Sequence, residues 1–419
     1  MKKSIYNLMF VSLLPIAGVA QTVNYGLFST TSGTEVSTFF DFKNEATGDV
    51  LNNGSFHFYG HYQNDGLFSY TTNSTTGYVV FEGLMAGLQN ISGASPSSFY
   101  DVLFNKAGGE QHSFHLTNDI ENAGTVNLTN GVVWMDKENG GAFVFLKGAK
   151  HINTSDRSHV NGEVTKIGNE TFKYPVGDGG YYRFAGISAP SHVAETYTGE
   201  YLLENSNAQY PHASRAGIIE VIDDQEYWII NQSTPTDNSV IVTLSWDDRT
   251  TPALLTNNMA AGLHIVRWDE AQQLWVDEGG VVDYAARTVT TPINVEGFGI
   301  FTLGKIKEEH LNLGDVVIYQ GVTPDGDGLN DYFIIDNIEQ FPTNNVTIFN
   351  RWGRKVYETT SYNSRGNVFN GYAQGKGVVN QGEMLPTGTY YYVVEYLYDR
   401  DGQSQWVKKV GFLHLESND

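Results

Sequence analysis

The sequence predicts an all-β chain with three parts: an N-terminal β-helix or solenoid-like region, a middle β-sandwich and a C-terminal immunoglobulin-like β-sandwich. Its 419 residues include 45 glycines, 25 tyrosines and 23 phenylalanines, a composition that suits tight turns and pleated sheet surfaces. Short β-branched and aromatic segments recur between turns that contain glycine, asparagine or aspartate. No segment has the length and periodicity of a substantial helix.

The first 20 residues have the organisation of a secretory signal peptide. Lys2 and Lys3 form a basic start, residues 8–17 are apolar, and small residues precede Gln21. The apolar segment is shorter than the roughly 20 residues that a membrane-spanning helix needs, and no later segment is apolar enough to cross a membrane. We therefore expect residues 1–20 to direct secretion and to be removed.

Charge and cysteine content exclude several classes of function. The formal net charge of −22 disfavours nucleic acids and anionic membrane surfaces as partners, because both attract cations. The absence of cysteine rules out a disulfide framework, thiol catalysis and cysteine metal sites. Stability must therefore come from buried apolar area and sheet hydrogen bonds.

Residues 21–163 have the repeating pattern of a β-solenoid. Short strands alternate with turns such as Asn53-Gly54, Asp65-Gly66 and Asn130-Gly131, and this cadence is typical of solenoids and meanders. Asp65-Gly66 and Asn130-Gly131 also fit two-residue hairpin turns. A solenoid is the preferred interpretation for this region, and a β-sandwich is the alternative.

Residues 164–304 predict a second β-rich domain, and residues 305–312 a polar linker. Six strands at a spacing of about ten residues indicate a sandwich. They are predicted at 218–222, 226–231, 239–246, 261–268, 274–277 and 298–303. Trp268 and Trp275 flank a predicted hairpin turn at residues 269–271.

Residues 313–419 contain four separated motifs: VTPDGDGLND at 322–331, NRWG at 350–353, LPTGTYYY at 385–392 and GFLHL at 411–415. In this order they resemble the gliding-motility-associated C-terminal domain, the type B sorting domain of Bacteroidetes type IX secretion substrates. The residues that carry the resemblance are Pro324, Gly326, Gly328, Asn330, Arg351, Trp352, Gly353, Pro386, Gly388 and Tyr390. We also expect Trp352 and Trp406 to lie in the core of this domain.

The resemblance implies where the protein acts. Such domains direct export through the type IX secretion machinery to the cell surface, with retention at the outer-membrane exterior. The implied partners are that machinery and an outer-membrane β-barrel anchoring protein. The resemblance covers about a quarter of the chain and says nothing of the activity of the rest.

The loop of the first motif offers three carboxylates, Asp325, Asp327 and Asp331, with glycines for a tight turn. Such acidic loops can supply the oxygen ligands of calcium. Alternatively, these side chains bond their own backbone in a turn. We expect no required cofactor, with calcium as the one candidate ion.

No nucleophile elbow, thiol pair or zinc-binding helix occurs in the sequence, so we expect a protein that is not an enzyme. The preferred interpretation is an adhesin or structural adaptor in surface attachment and gliding motility, acting alone or with a larger adhesin. One alternative is a surface carbohydrate-binding module that uses Trp268 and Trp275. Another is a polysaccharide-active β-helix enzyme, which would need a facing carboxylate pair.

Overall fold

The computed structural model describes residues 21–84, 87–106, 113–136, 140–233, 240–257, 262–307, 316–327, 329–364, 366–400 and 403–417. The predicted signal peptide, residues 1–20, lies outside them. The described chain is nearly all β, as the sequence predicts. Within it, no helix combines the length and the apolar character that a membrane crossing requires.

The N-terminal part is built of 20 short strands. They are β1 (Gln21–Asn24), β2 (Leu27–Thr30), β3 (Glu35–Thr38), β4 (Asp41–Asn44), β5 (Asp49–Asn52), β6 (Ser55–Phe58), β7 (Tyr62–Asn64), β8 (Leu67–Ser69), β9 (Tyr78–Phe81), β10 (Gln89–Ser92), β11 (Ser97–Phe99), β12 (Asp101–Asn105), β13 (Phe114–Leu116), β14 (Ile120–Asn122), β15 (Thr125–Asn130), β16 (Val133–Met135), β17 (Phe143–Phe145), β18 (Lys150–Ile152), β19 (Val160–Asn161) and β20 (Val164–Ile167).

These strands form a solenoid, because every third strand pairs in parallel with the next coil. Three sheets result, ordered β1-β4-β7-β10-β13-β16-β19, β2-β5-β8-β11-β14-β17-β20 and β3-β6-β9-β12-β15-β18. The solenoid prediction is therefore confirmed. The hairpin alternative is wrong at Asp65-Gly66 and Asn130-Gly131, because the strands that flank these turns belong to different parallel sheets.

Aromatic side chains fill the solenoid interior. Along most strands of the inner coils the side chains alternate between buried and half-buried, as in Ser55–Phe58, so every second residue points inward. Phe56 and Phe58 stack at 4.6 Å, and Phe58 lies 4.9 Å from Tyr62 across the interior. Full burial of one such ring contributes about 1.5–3 kcal/mol.

A ladder of asparagines, of which Asn44 and Asn64 are fully buried, stabilises one corner of the first coils. Asn24, Asn44 and Asn64 are 20 residues apart and share one register position. The Asn24 amide donates to Asn44 Oδ1, and the Asn44 amide donates to Asn64 Oδ1, both at 2.8 Å. The exact spacing is a sequence signal of this ladder that our turn-based prediction did not use.

The middle part has 13 strands. They are β21 (Phe172–Lys173), β22 (Gly177–Asp178), β23 (Tyr181–Tyr182), β24 (Ala185–Ile187), β25 (Thr196–Leu202), β26 (Ile219–Ile222), β27 (Tyr227–Gln232), β28 (Val242–Ser245), β29 (Leu263–Asp269), β30 (Leu274–Gly279), β31 (Val281–Asp283), β32 (Thr288–Thr290) and β33 (Gly299–Ile306). A short helix, α1 (Ala253–Thr256), and a 3-10 turn at Ser206–Ala208 complete it.

The middle part continues one sheet of the solenoid. The last coil strand, β20, pairs antiparallel with β25, and the sheet runs on through β27, β33, β29 and β30. A second sheet, β21-β24-β28-β32-β31, shares one hydrophobic core with it. The predicted division at residue 163 therefore falls just before the solenoid's last strand, inside a continuous sheet.

A buried ion pair connects distant segments of the middle part. The Arg183 guanidinium donates to both carboxylate oxygens of Glu226, at 2.6 and 3.2 Å, and to the Ser245 carbonyl. Tyr201 and Thr251 donate to the same carboxylate. Its polar atoms are thus satisfied, as a charge pair withdrawn from water requires.

The C-terminal part has seven strands: β34 (Val317–Ile318), β35 (Gly321–Val322), β36 (Ile335–Asp336), β37 (Asn344–Phe349), β38 (Lys355–Thr360), β39 (Gly388–Arg400) and β40 (Gln403–Leu415). A 3-10 turn spans Ile338–Gln340. The main sheet has the order β35-β40-β39-β37-β38, and β34 pairs with β36. Its buried residues form a hydrophobic core of their own.

Within the described residues, no strand of the C-terminal part pairs with a strand of residues 21–306. The predicted linker at 305–312 begins too early, because Lys305 and Ile306 belong to β33. The Ile306 side chain is buried, and Ile306 lies opposite Ile219 where β33 pairs with β26. Residues 308–315 lie outside the described chain.

We predict that Asn44→Ala lowers the free energy of unfolding by about 2–3 kcal/mol, because it leaves buried polar partners of the ladder without their hydrogen bonds. The Asn44 amide also donates to the Leu67 carbonyl at 2.9 Å. Chemical denaturation of the chain without its signal peptide measures the loss. Asn90→Ala is the matched control, since Asn90 is half-buried on the outer face. Equal stability of the two variants would contradict the structural role of the ladder.

Candidate functional site

The C-terminal motifs meet in the main sheet and the turns around it. Tyr390, at the start of β39, donates its hydroxyl hydrogen bond to the Pro386 carbonyl at 2.8 Å. This is the geometry of the tyrosine corner that immunoglobulin-like sandwiches use. Gly388 lies between them at the first position of the strand. The LPTGTYYY motif therefore fixes how the chain enters its longest strand.

The closing GFLHL motif needs its glycine for packing. Gly411 of β40 pairs with Tyr392 of β39, and a Cβ atom at Gly411 would lie 2.6 Å from Tyr392 Cζ. The tyrosine ring thus covers the glycine across the strand pair. Leu413 and Leu415 of the same motif are fully buried, so the motif is a core strand.

The NRWG motif forms the turn between β37 and β38. Asn350 Oδ1 accepts hydrogen bonds from the amides of Trp352 and Arg354, both at 3.0 Å. Gly353 has a φ of +71°, and a Cβ atom there would lie 2.8 Å from Ile241 Cδ1 of the middle part. Glycine is therefore required both by the backbone conformation and by the close approach of the middle part.

Both tryptophans of this domain lie on its surface, so the prediction that they form its core is wrong. Trp352 is 56% exposed, and the Arg351 guanidinium lies 4.7 Å from its ring centroid. Trp406 is 61% exposed because its neighbour in β40, Val407, takes the inward position of the strand. Arg351, Trp352 and Trp406 thus leave aromatic and cationic groups exposed on the domain surface.

The acidic loop follows β35. Pro324, Gly326 and Asn330 lie in this loop, and Gly328 lies outside the described residues. The Thr323 amide donates to the Asn330 carbonyl at 2.7 Å, which closes the loop. The structure thus gives the described residues of the first motif a turn of defined shape at the domain surface.

One oxygen from each of Asp325, Asp327 and Asp331 lies within 4.8 Å of the others. Each carboxylate also accepts a backbone hydrogen bond: from the Asp327 amide to Asp325, from the Leu329 amide to Asp327, and from the Gly326 amide to Asp331. The loop thus has the backbone bonding expected of an aspartate turn. The three carboxylates are also close enough to contribute to the oxygen set that calcium prefers.

The outer face of the main sheet is partly covered by the middle part. A Cβ atom at Gly279, beside the Pro292 ring, would lie 3.5 Å from Val410 Cγ2 of β40. Val393, the cross-strand neighbour of Val410, is buried. Phe412 remains 38% exposed on this face. The free surface of the domain thus lies at the ends of this face and at the turns.

A cleft of about 330 Å³ separates the two parts beside this contact, with His264 and Tyr392 in its lining. His264 Nδ1 lies 2.8 Å from Asp277 Oδ1. Burial by itself raises the pKa of the Asp277 carboxyl. His264 and Lys408 of β40 have the opposite and larger effect, so the pKa of this carboxyl is lowered overall. Local sequence patterns do not predict this group, because Lys408 is distant in the chain from His264 and Asp277.

The tryptophans proposed for glycan contact are buried. Trp268 is 5% and Trp275 0% exposed, and their rings pack edge to face at 5.8 Å. The hairpin prediction is confirmed, since Trp268 pairs with Trp275 across β29 and β30. The predicted glycan contact is wrong, because Tyr210 packs on both indoles and covers them.

We predict that Gly411→Ala destabilises the C-terminal domain by about 1–3 kcal/mol, because the added methyl group displaces the buried Tyr392 ring. Gly388→Ala is the matched control in the neighbouring strand, where a Cβ atom would have no atom within 4 Å. Hydrogen exchange of residues 388–398 measures the local change. Equal protection in the two variants would contradict the packing argument.

Comparison with known proteins identifies this domain. Residues 316–415 match the family described as CHU_C Type IX secretion signal domain. No curated protein and no solved structure matched the chain. The match confirms the predicted C-terminal sorting domain and implies interaction with the type IX secretion machinery. The chain therefore carries a type IX secretion signal domain at residues 316–415 and is a substrate exported to the cell surface.

Proposed function

We propose that this chain is a non-enzymatic surface protein that acts as an adhesin or structural adaptor in surface attachment and gliding motility. The observation that carries the proposal is that the secretion signal and the remaining β-structure occupy separate parts of the chain. Residues 316–415 are the secretion signal, whereas residues 21–306 form a continuous β-structure with its own cores. The secretion signal delivers this structure, which then makes the contacts outside the cell.

The physical properties of residues 21–306 support a role in display. Seven solenoid coils, stacked at about 4.8 Å each, extend roughly 30 Å. Successive coils are connected by backbone hydrogen bonds and by stacked aromatic rings, such as those of Phe58 and Phe81, so the stack can transmit force without disulfides. The net charge of −22 keeps an exported chain soluble.

We propose retention at the outer-membrane exterior through an outer-membrane β-barrel anchoring protein. The turn that carries Arg351 and Trp352 supports this proposal, because an exposed aromatic ring under a guanidinium is typical of binding hot spots. Trp406 adds a second exposed ring on the same domain. A larger surface adhesin is a further candidate partner of residues 21–306.

The carbohydrate-binding alternative loses the contact on which it rested, because Trp268 and Trp275 are buried. Trp228 and Trp246 are buried as well, and Trp134 is half-buried against the His115 ring at 4.5 Å. A glycan that stacks on an indole face needs that face open to solvent. The preferred proposal therefore remains the adhesin or structural adaptor.

We predict that cells carrying an in-frame deletion of residues 21–306 still display the sorting domain but attach to surfaces and glide less than cells with the full chain. The reason is that the deletion removes the proposed contact region and keeps the secretion signal. Surface immunolabelling, counts of attached cells and gliding speed provide the readout. A deletion of residues 316–417 is the control for export, and its product stays inside the cell envelope.

Normal attachment and gliding of the first strain, with full display, would contradict the adhesin or adaptor role. Release of reducing sugars from polysaccharides by the purified chain would instead favour the enzyme alternative. A chain that reaches the surface without residues 316–417 would contradict their role as the signal.

We propose calcium as the one ion that the sorting domain binds, through Asp325, Asp327 and Asp331. Calorimetric titration of the purified chain with Ca²⁺ is expected to show one site that Asp327→Asn weakens at least tenfold. At 100 times its dissociation constant, calcium would stabilise the domain by about 2.7 kcal/mol. Asp336→Asn, an exposed acid of the same domain, is the control. If the titration shows no heat of binding, the calcium proposal is wrong and the loop is an aspartate turn only.

A further inference from the structure

The two ends of the solenoid differ. At the far end, β20 pairs with β25, and His151 of β18, the last strand of its sheet, lies 2.8 Å from the Lys173 carbonyl through Nε2, so the middle part caps the stack. At the near end, β1, β2 and β3 each stand last in their sheets. Among the described residues, none of the three pairs with a strand on its outer side.

The open end exposes backbone groups that can pair. The carbonyls of Gly26 and Thr30 accept hydrogen bonds from the second coil. Because alternate residues of a strand direct their amide and carbonyl groups to opposite edges, Leu27 and Ser29 direct theirs outward. β1 and β3 follow the same rule. The end therefore presents three edges of the kind that natural proteins ordinarily protect.

The inward positions of the first coil are also incompletely covered. Phe28, Val50 and Phe68 occupy one register position in successive coils. Phe28 is 36% exposed, whereas Val50 and Phe68 are 0% and 1% exposed. Outside the interior, Leu27 on the outer face is 75% exposed, and Phe40 between β3 and β4 is 57% exposed. The end thus leaves the Phe28 ring partly open, whereas Val50 and Phe68 at the same register position are buried.

The composition of this coil favours pairing with another chain. Residues 21–40 contain no lysine, arginine or proline, the residues that commonly protect a sheet edge, and Glu35 is their one charged residue. In a chain of net charge −22, this is a place where two copies can meet with little repulsion. A hetero-partner selected by charge would find almost nothing to recognise here.

We propose that this end of the solenoid is a homodimer interface, in which a second copy of the chain stacks its first coil on this one. A two-fold axis across the solenoid axis pairs each open edge with an edge of the partner in antiparallel orientation. The same surface serves both copies, as an isologous contact requires.

Analytical ultracentrifugation of the mature chain, residues 21–419, tests the proposal. We expect a reversible dimer whose dissociation constant rises at least tenfold in Phe28→Lys, because stacking covers this inward position and the substitution buries an unpaired charge there. Ser29→Pro, which removes an outward amide of the exposed edge, is expected to have the same effect. Leu254→Lys is the matched control, because Leu254 is 58% exposed on α1. Circular dichroism checks that each variant folds.

A mature chain that stays monomeric up to about 100 μM would overturn the proposal. So would a dimer whose dissociation constant is the same in the wild type and in both variants, since association would then use another surface.

Spin labels test the orientation, because a chain without cysteine offers a single thiol wherever one is introduced. Labels at Ala46→Cys, close to the first coil, are expected to give a short distance between the two copies. Labels at Ala286→Cys, in the middle part, are expected to give none within measurable range. The reverse pattern would exclude a contact through the first coils.

Discussion

Each solenoid coil depends on its neighbours, because a coil alone can satisfy neither its strand edges nor its inward side chains. Parallel pairing from coil to coil, as between Phe42 and Tyr62, satisfies both at once. With no cysteine in the chain, no covalent bond replaces this pairing. The constraint explains why the last coil continues into the middle part and why the first coil, left open, is a surface for association.

The sequence predicted those features that local patterns encode. Strands β26, β27, β29 and β30 lie close to their predicted positions, because short β-branched and aromatic segments end at turns. The sorting domain was recognised because four short motifs occur in a fixed order. The solenoid was predicted from its cadence, although the Asn24, Asn44 and Asn64 spacing would have been the sharper signal.

Other features depend on contacts between distant residues, which a local pattern does not encode. The Arg183–Glu226 pair joins residues 43 positions apart. Tryptophan type alone cannot assign a side chain to the core or the surface. Trp268 and Trp275 are buried by Tyr210, whereas Trp352 and Trp406 are exposed by their places in a turn and on an outer strand face. The acidic loop has the geometry of an aspartate turn and also the carboxylate spacing of a calcium site, because the same three side chains serve both. A binding titration in solution therefore distinguishes the two.

The sorting domain folds separately from the continuous solenoid and middle part to which it is joined. Hydrogen exchange of the mature chain in increasing denaturant, read by mass spectrometry, measures whether the two parts open independently. We expect amides of residues 316–417 to exchange through their own cooperative opening, with a free energy different from that of residues 21–306. Exchange of both groups in one shared global event would contradict it, because the two parts would then form a single folding unit.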